Sequence, residues 1–108
     1  MTYSQHAKYD HKLRQQYMKT LGQGKLLYAT VTQLPNTTEP RTYEYYDNGI
    51  MVVLNDQHTK VITRMIPNPS RLQALYENLD TTVLESAKNI NRKWKKYYNK
   101  SVKEWRKK

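Results

Sequence analysis

The sequence predicts an α+β domain with an N-terminal helix, a four-stranded antiparallel sheet and a long basic C-terminal helical region. Three observations predict it. Residues 4–20 repeat their apolar side chains at helical spacing and stop before Gly22 and Gly24. Residues 25–66 are β-branched and aromatic, interrupted by "PNTTEP", Asn48-Gly49 and "DQHT". From Ser70 onward the helical period returns. A chain of 108 residues suits one domain, 1–108.

In the first helix Ser4 is the expected N-cap, and Tyr9, Leu13, Tyr17 and Leu21 share a face opposite Lys8, Lys12, Gln15 and Lys19. His6 falls in the apolar arc near Asp10, where it is expected to pack against the sheet, and His11 falls at the edge of that arc. "KLLYATVTQL", 25–34, is a strand. Asn48-Gly49 favours a two-residue type I′ hairpin, which sets Tyr45 opposite Val52 and Tyr43 opposite Leu54. "KVITRMI" is the fourth strand, stopped by Pro67 and Pro69.

With Leu54 opposite Val61, one face would carry Tyr43, Tyr45, Ile50, Val52, Leu54, Val61, Thr63 and Met65. The other would carry Glu44, Tyr46, Met51, Val53, Ile62, Arg64 and Ile66. Both sets are largely apolar, so cover on both faces is expected. Leu72, Leu75, Tyr76 and Leu79 form the next helical stripe, and Thr82 and Glu85 have capping-box spacing. Beyond them, Ala87, Ile90, Trp94, Tyr97, Tyr98, Val102 and Trp105 fall within an arc of about 140°. That stripe is expected to dock on the rest of the domain, with the bases facing out.

Composition narrows the chemistry. There is no Cys, which excludes disulfides and thiolate catalysis. Only three histidines are present, and His6 and His11 are five apart, so no metal site and no cofactor are expected. No nucleophile elbow is found, and no glycine-rich phosphate loop. The first residues lack the apolar core of a signal peptide and no run is long enough for a membrane span, so a cytoplasmic protein is expected. Ten of the 19 Lys and Arg residues, and one of the nine acids, lie in residues 88–108, so that segment carries +9 of the net +10. Such density attracts phosphate polymers. Arg92, Lys93, Lys96, Lys100 and Lys103 are its expected nucleic-acid contacts. An interfacial membrane helix is the competing expectation, and a merely solvated face the plainest one.

Metal-free RNA cleavage needs a base for the 2′-hydroxyl, an acid for the leaving oxygen and a cation on the phosphate. Glu44, Tyr46 and Arg64 share one expected face, His58 lies in the adjoining loop, and His11 with Lys12 can approach from the first helix. The same residues also read as a cross-strand Glu44–Arg64 ion pair, a turn histidine and strand packing.

The order helix, sheet, helix, with a closing hairpin "GIMVVLNDQHTKVITRM", resembles the small ribonuclease and toxin fold of barnase, the colicin tRNases and RelE-type toxins. The resemblance rests mainly on residues 43–66. It implies phosphate or base contacts from Thr63 and Arg64, an acid-base or phosphate role for His11 or Lys12, and a general-base role for Glu44. The chain departs from that family at its end. RelE-type toxins often carry a functional Tyr or basic residue near the C-terminus, and here a long basic helix stands instead.

These readings lead to a small basic nucleic-acid-binding protein, RNA before DNA, with metal-independent endoribonuclease activity as one expectation. The other is a non-enzymatic phage or mobile-element effector, for example anti-CRISPR-like, that binds nucleic acid or a nucleic-acid enzyme. A cognate inhibitor is the expected partner in the first case.

Overall fold

The computed structural model describes the backbone of residues 5–106 and the side chains of residues 9–104. The elements are α1 (Gln5–Thr20), β1 (Leu26–Thr32), β2 (Arg41–Tyr46), β3 (Met51–Leu54), β4 (Val61–Met65), α2 (Pro69–Leu75) and α3 (Thr81–Arg106). This is the α+β architecture that the sequence predicts. The four strands form an antiparallel meander in the order β1-β2-β3-β4. The expected packing of His6 concerns a side chain outside the described residues.

The β2–β3 hairpin corrects the expected register. Tyr45 faces Met51 and Tyr43 faces Val53, one residue from the two-residue-turn pairing. The turn has three residues, Asp47-Asn48-Gly49. Tyr46 N–H donates to Ile50 O at 3.0 Å, Gly49 N–H donates to Tyr46 O at 3.0 Å, and Gly49 has φ +88°. A turn followed by a left-handed glycine is the usual three-residue solution. Tertiary bonds explain why it wins. Asp47 exchanges bonds with Lys25, donating its N–H to Lys25 O at 2.9 Å and accepting Lys25 N–H on Oδ1 at 2.8 Å. Asn48 Nδ2 donates to Gly22 O at 2.8 Å. Asp47 is therefore tied to the start of β1 rather than paired with Ile50.

A one-residue shift exchanges the faces of β3. Met51 and Val53 thus join Tyr43 and Tyr45 on the helix-covered face, with exposures of 0–3%. Val52 and Leu54 turn to the other side and are only half-buried. A second irregularity, between Val53 and Leu54 in the β3–β4 pairing, sets Val53 opposite Thr63 and Val52 opposite Arg64. The two departures cancel between β2 and β4. Thr63 stays on the face of Tyr43, and Arg64 stays on the face of Glu44.

The covered face meets α2 and α3 through one apolar cluster of Tyr43, Tyr45, Met51, Val53, Leu72, Tyr76 and Ala87. Pro69 opens α2, and Tyr76 ends it. The buried Tyr76 hydroxyl donates to Tyr43 O at 2.8 Å, which satisfies both groups. Asp80, rather than the expected Thr82–Glu85 box, caps α3. Its Oδ1 accepts Thr82 N–H at 2.7 Å, and its carbonyl accepts Leu84 N–H at 3.0 Å.

Only the first part of α3 lies on the sheet. Its later turns pack on α1. Tyr17 stands 5.2 Å from the Trp94 ring and 5.1 Å from the Tyr97 ring. Tyr9 donates to Ser101 O at 3.0 Å, and Tyr98 to Asp10 Oδ1 at 2.7 Å. Of the expected stripe, Ala87, Ile90, Trp94, Tyr98 and Val102 are buried or half-buried, Tyr97 is 37% exposed at its edge, and the Trp105 side chain lies outside the described residues. Gly22, at φ +70°, breaks α1 at the point where the chain must turn toward β1.

Candidate functional site

Two surfaces carry the residues singled out in the sequence. The first is the sheet face turned away from α2 and α3. Glu44 and Tyr46 alternate onto it from β2, and Arg64 from β4. Glu44 and Arg64 both pair with Val52, so their backbones stand two strand spacings apart, about 9–10 Å. They form no ion pair among the described residues. Glu44 instead accepts the Tyr46 hydroxyl at 3.1 Å. Burial holds the Tyr46 phenol above its ordinary pKa. The hydrogen bond to Glu44 and that carboxylate's charge add to the shift, and the Arg64 charge opposes it. Tyr46 thus stays protonated at neutral pH and acts as a donor that fixes the Glu44 carboxylate.

His58 joins this face through loop chemistry. Asn55 Oδ1 accepts Thr59 N–H at 2.9 Å and Lys60 N–H at 3.1 Å, and Asn55 O accepts His58 N–H at 3.0 Å. The tight loop leaves His58 at φ +58°, a left-handed conformation uncommon for a residue with a Cβ. His58 Nε2 then lies 2.7 Å from Thr42 Oγ1. Thr42 is 3% exposed although it is on the open side of β2. It sits two residues from Glu44, roughly 7 Å along the strand. Thr42 is not among the residues that the sequence singles out. The alternation of β2 places it on the Glu44 face, and only the folded loop brings His58 above it.

Glu44, Tyr46, Arg64 and His58 are therefore brought together on one face. His11 and Lys12 are not. Both are exposed on α1, which packs on α3 rather than on this face, and no hydrogen bond or ion pair joins them to it among the described residues. Thr63 lies on the covered side, opposite Val53, away from Arg64's guanidinium. Its hydroxyl lies 3.5 Å from Arg64 O, at the outer limit of a hydrogen bond. No group of three or more His, Asp or Glu side chains among the described residues could hold a metal ion.

The second surface is the outer side of α3. Arg92, Lys93, Lys95, Lys96, Lys100 and Lys103 are all exposed. None of them makes an ion pair among the described residues; on this helix Lys88 pairs with Glu85 at 3.3 Å. The buried side holds Ala87, Asn91 and Val102. Lys88, Arg92, Lys95 and Lys96 flank a shallow groove beside Pro69 at the start of α2. Tyr97, 37% exposed, stands between Lys93 and Lys100 on the helical surface. No helix of the described residues is long and apolar enough to cross a membrane. Comparison of the chain with family models, curated proteins and solved structures gave no match.

Proposed function

We propose that the protein binds nucleic acid, single-stranded RNA before DNA, along the outer side of α3. The observation that carries this reading is the division of one helix. Its apolar side is anchored on α1 and the sheet, while six bases that make no ion pair among the described residues line the opposite side. A rigid row of cations matches a phosphate backbone, and the exposed Tyr97 ring offers a base a stacking surface.

Cleavage is the second reading, favoured by the meeting of Glu44, Tyr46, Arg64 and His58. In it Arg64 neutralises the scissile phosphate, Glu44, oriented by Tyr46, takes the 2′-hydroxyl proton as the 2′-oxygen attacks phosphorus, and His58 gives a proton to the leaving 5′-oxygen as the P–O5′ bond breaks. That face opens on the side of the sheet away from α3. A strand lying straight along α3 does not reach it, so binding and cleavage are separable.

Two measurements on the same protein test the two readings. Binding to labelled single-stranded RNA and duplex DNA is measured against salt, and total RNA is incubated in EDTA with cleavage ends mapped. With about five phosphate contacts, log K falls against log salt with slope near −3.5 to −4.5. Replacing Lys93, Lys96, Lys100 and Lys103 with Gln flattens the slope and weakens all sequences alike. Glu44→Gln and Arg64→Ala each slow any cleavage by about 10² without changing binding. Salt-independent binding, or none at low salt, defeats the α3 reading. Full cleavage by both variants removes the second reading, and absence of cleavage leaves a protein that acts by binding alone.

A further inference from the structure

A third site lies on neither of these surfaces. Between the covered face of the sheet, the β1–β2 loop and α2 is a cavity of about 740 Å³. This is within the range of small-molecule sites, about 300–1,000 Å³. Two arginines line it, Arg41 from the first position of β2 and Arg71 from α2. No Asp or Glu does. Neither arginine has an ion-pair partner among the described residues. The Nε of Arg41 is buried with no hydrogen-bond partner. A buried donor of this kind is costly unless something accepts from it.

The remaining lining has two characters. Thr30, Thr32 and Thr63 supply hydroxyls from the strands, and Ser70 supplies one from α2. Leu34, Tyr43 and Leu75 supply an apolar wall with an aromatic ring. Guanidinium forks recognise planar or tetrahedral oxyanions through paired N–H donors, and hydroxyls complete the shell of a phosphate. The apolar wall suits a ring attached to that phosphate. Two arginines with no carboxylate beside them among the described lining residues favour an anion over a cation.

We infer that this cavity binds a phosphate monoester carrying a ring, of the size of a nucleoside monophosphate, with Arg41 and Arg71 on the phosphate and Tyr43, Leu34 and Leu75 against the ring. The phosphate can belong to a free nucleotide or to the end of an oligonucleotide, since both present the same dianion. Thr63 lines this cavity from β4. The inference does not rest on the α3 reading, because the cavity shares no residue with the outer side of α3.

Titration calorimetry on the full chain tests it, with adenosine monophosphate, adenosine, inorganic phosphate and a 5′-phosphorylated dinucleotide as probes. The monophosphate is expected to bind with one saturable site, and adenosine at least about tenfold more weakly. Tighter binding of the phosphorylated dinucleotide assigns the site to strand ends, equal binding shows that it takes both, and exclusion of the dinucleotide assigns it to free nucleotides. Arg71→Gln, at an exposed position on α2, and Arg41→Gln are each expected to weaken monophosphate binding by about tenfold or more. The variant with Lys93, Lys96, Lys100 and Lys103 replaced by Gln keeps that binding while losing affinity for long RNA. Three results would overturn the inference: no saturable monophosphate binding, unchanged binding in a folded Arg71→Gln protein, or equal loss in the α3 variant.

Discussion

Along β2 the side chains alternate between two environments. Tyr43 and Tyr45, at 3% and 2% exposure, enter a core built with Met51, Val53, Leu72 and Tyr76. Thr42, Glu44 and Tyr46 turn the other way and bond to surface partners, His58 and one another. The covered face is held by apolar burial, worth about 25 cal/mol per Å² removed from water. The open face is held by single hydrogen bonds, each contributing about 1 kcal/mol net. The difference teaches that one strand can stabilise the domain with one parity of residues and leave the other parity free for chemistry. Substitutions of the core residues Tyr45, Met51 and Val53 should then register in stability, whereas those of Glu44 and Tyr46 should leave the core intact and register in the proposed cleavage.

The comparison depends on the register, and Gly49 holds the register. Its φ of +88° strains any residue with a Cβ, and a Cβ there would come 2.6 Å from Ile90 Cδ1 and 2.8 Å from Ile90 Cγ2. Backbone strain of about 1–3 kcal/mol and overpacking of about 1–3 kcal/mol combine. Gly49→Val is expected to destabilise the domain by about 3 kcal/mol or more in urea denaturation. A loss below about 0.5 kcal/mol would mean that the turn is not built as described.

A direct contrast of adjacent residues comes next. Met51 is fully buried, whereas Val52 is half-buried on the open face. Met51→Ala should cost about 2–4 kcal/mol and Val52→Ala less than about 1. The reverse order would place β3 in the two-residue-turn register and exchange its faces.

That register is where sequence reading stops. The order of elements, the hairpin at Asn48-Gly49, and the split of α3 into apolar and basic sides are all legible in the periodicity. In β3, "IMVVL", both parities are apolar, so alternation does not choose between Met51/Val53 and Val52/Leu54. The choice is made by Asp47 bonding to Lys25 across 22 positions of sequence. The Glu44, Tyr46 and Arg64 face was nevertheless legible, because the irregularity between Val53 and Leu54 restores the parity that the turn removes. His58 was placed near this face but not its partner Thr42. The cavity of Arg41 and Arg71 had no signal, since the two residues meet only when α2 folds back over β2.

Titration gives the third contrast. Burial raises the Tyr45 phenol to about 12 from 10.0. Its folded-state pKa lies above its unfolded value, so its contribution to stability is complete below about pH 10 and is lost as pH rises toward 12. Tyr76 is held up more strongly, again chiefly by burial. Stability should fall between pH 10 and 12 by as much as about 1.4 kcal/mol per pH unit for each of these tyrosines. Tyr45→Phe should flatten that slope. A slope identical in the variant would show that alkaline unfolding does not start on the covered face.

The smallest effect tests the open face. His58 spends backbone strain to reach Thr42, so two opposing terms are present. His58→Ala loses the hydrogen bond and keeps a Cβ at φ +58°, whereas His58→Gly loses the same bond but takes that conformation freely. Glycine should therefore be the milder replacement, by about 0.5–1 kcal/mol. Thr42→Val keeps the shape of the buried side chain and should cost about 1 kcal/mol or less, because the exposed imidazole can turn to water. Combining Thr42→Val with His58→Gly should cost less than the two separately, since both remove one bond. Additive losses, or equal effects of Ala and Gly at position 58, would mean that the loop does not hold His58 over β2. The open face would then consist of Glu44, Tyr46 and Arg64 alone.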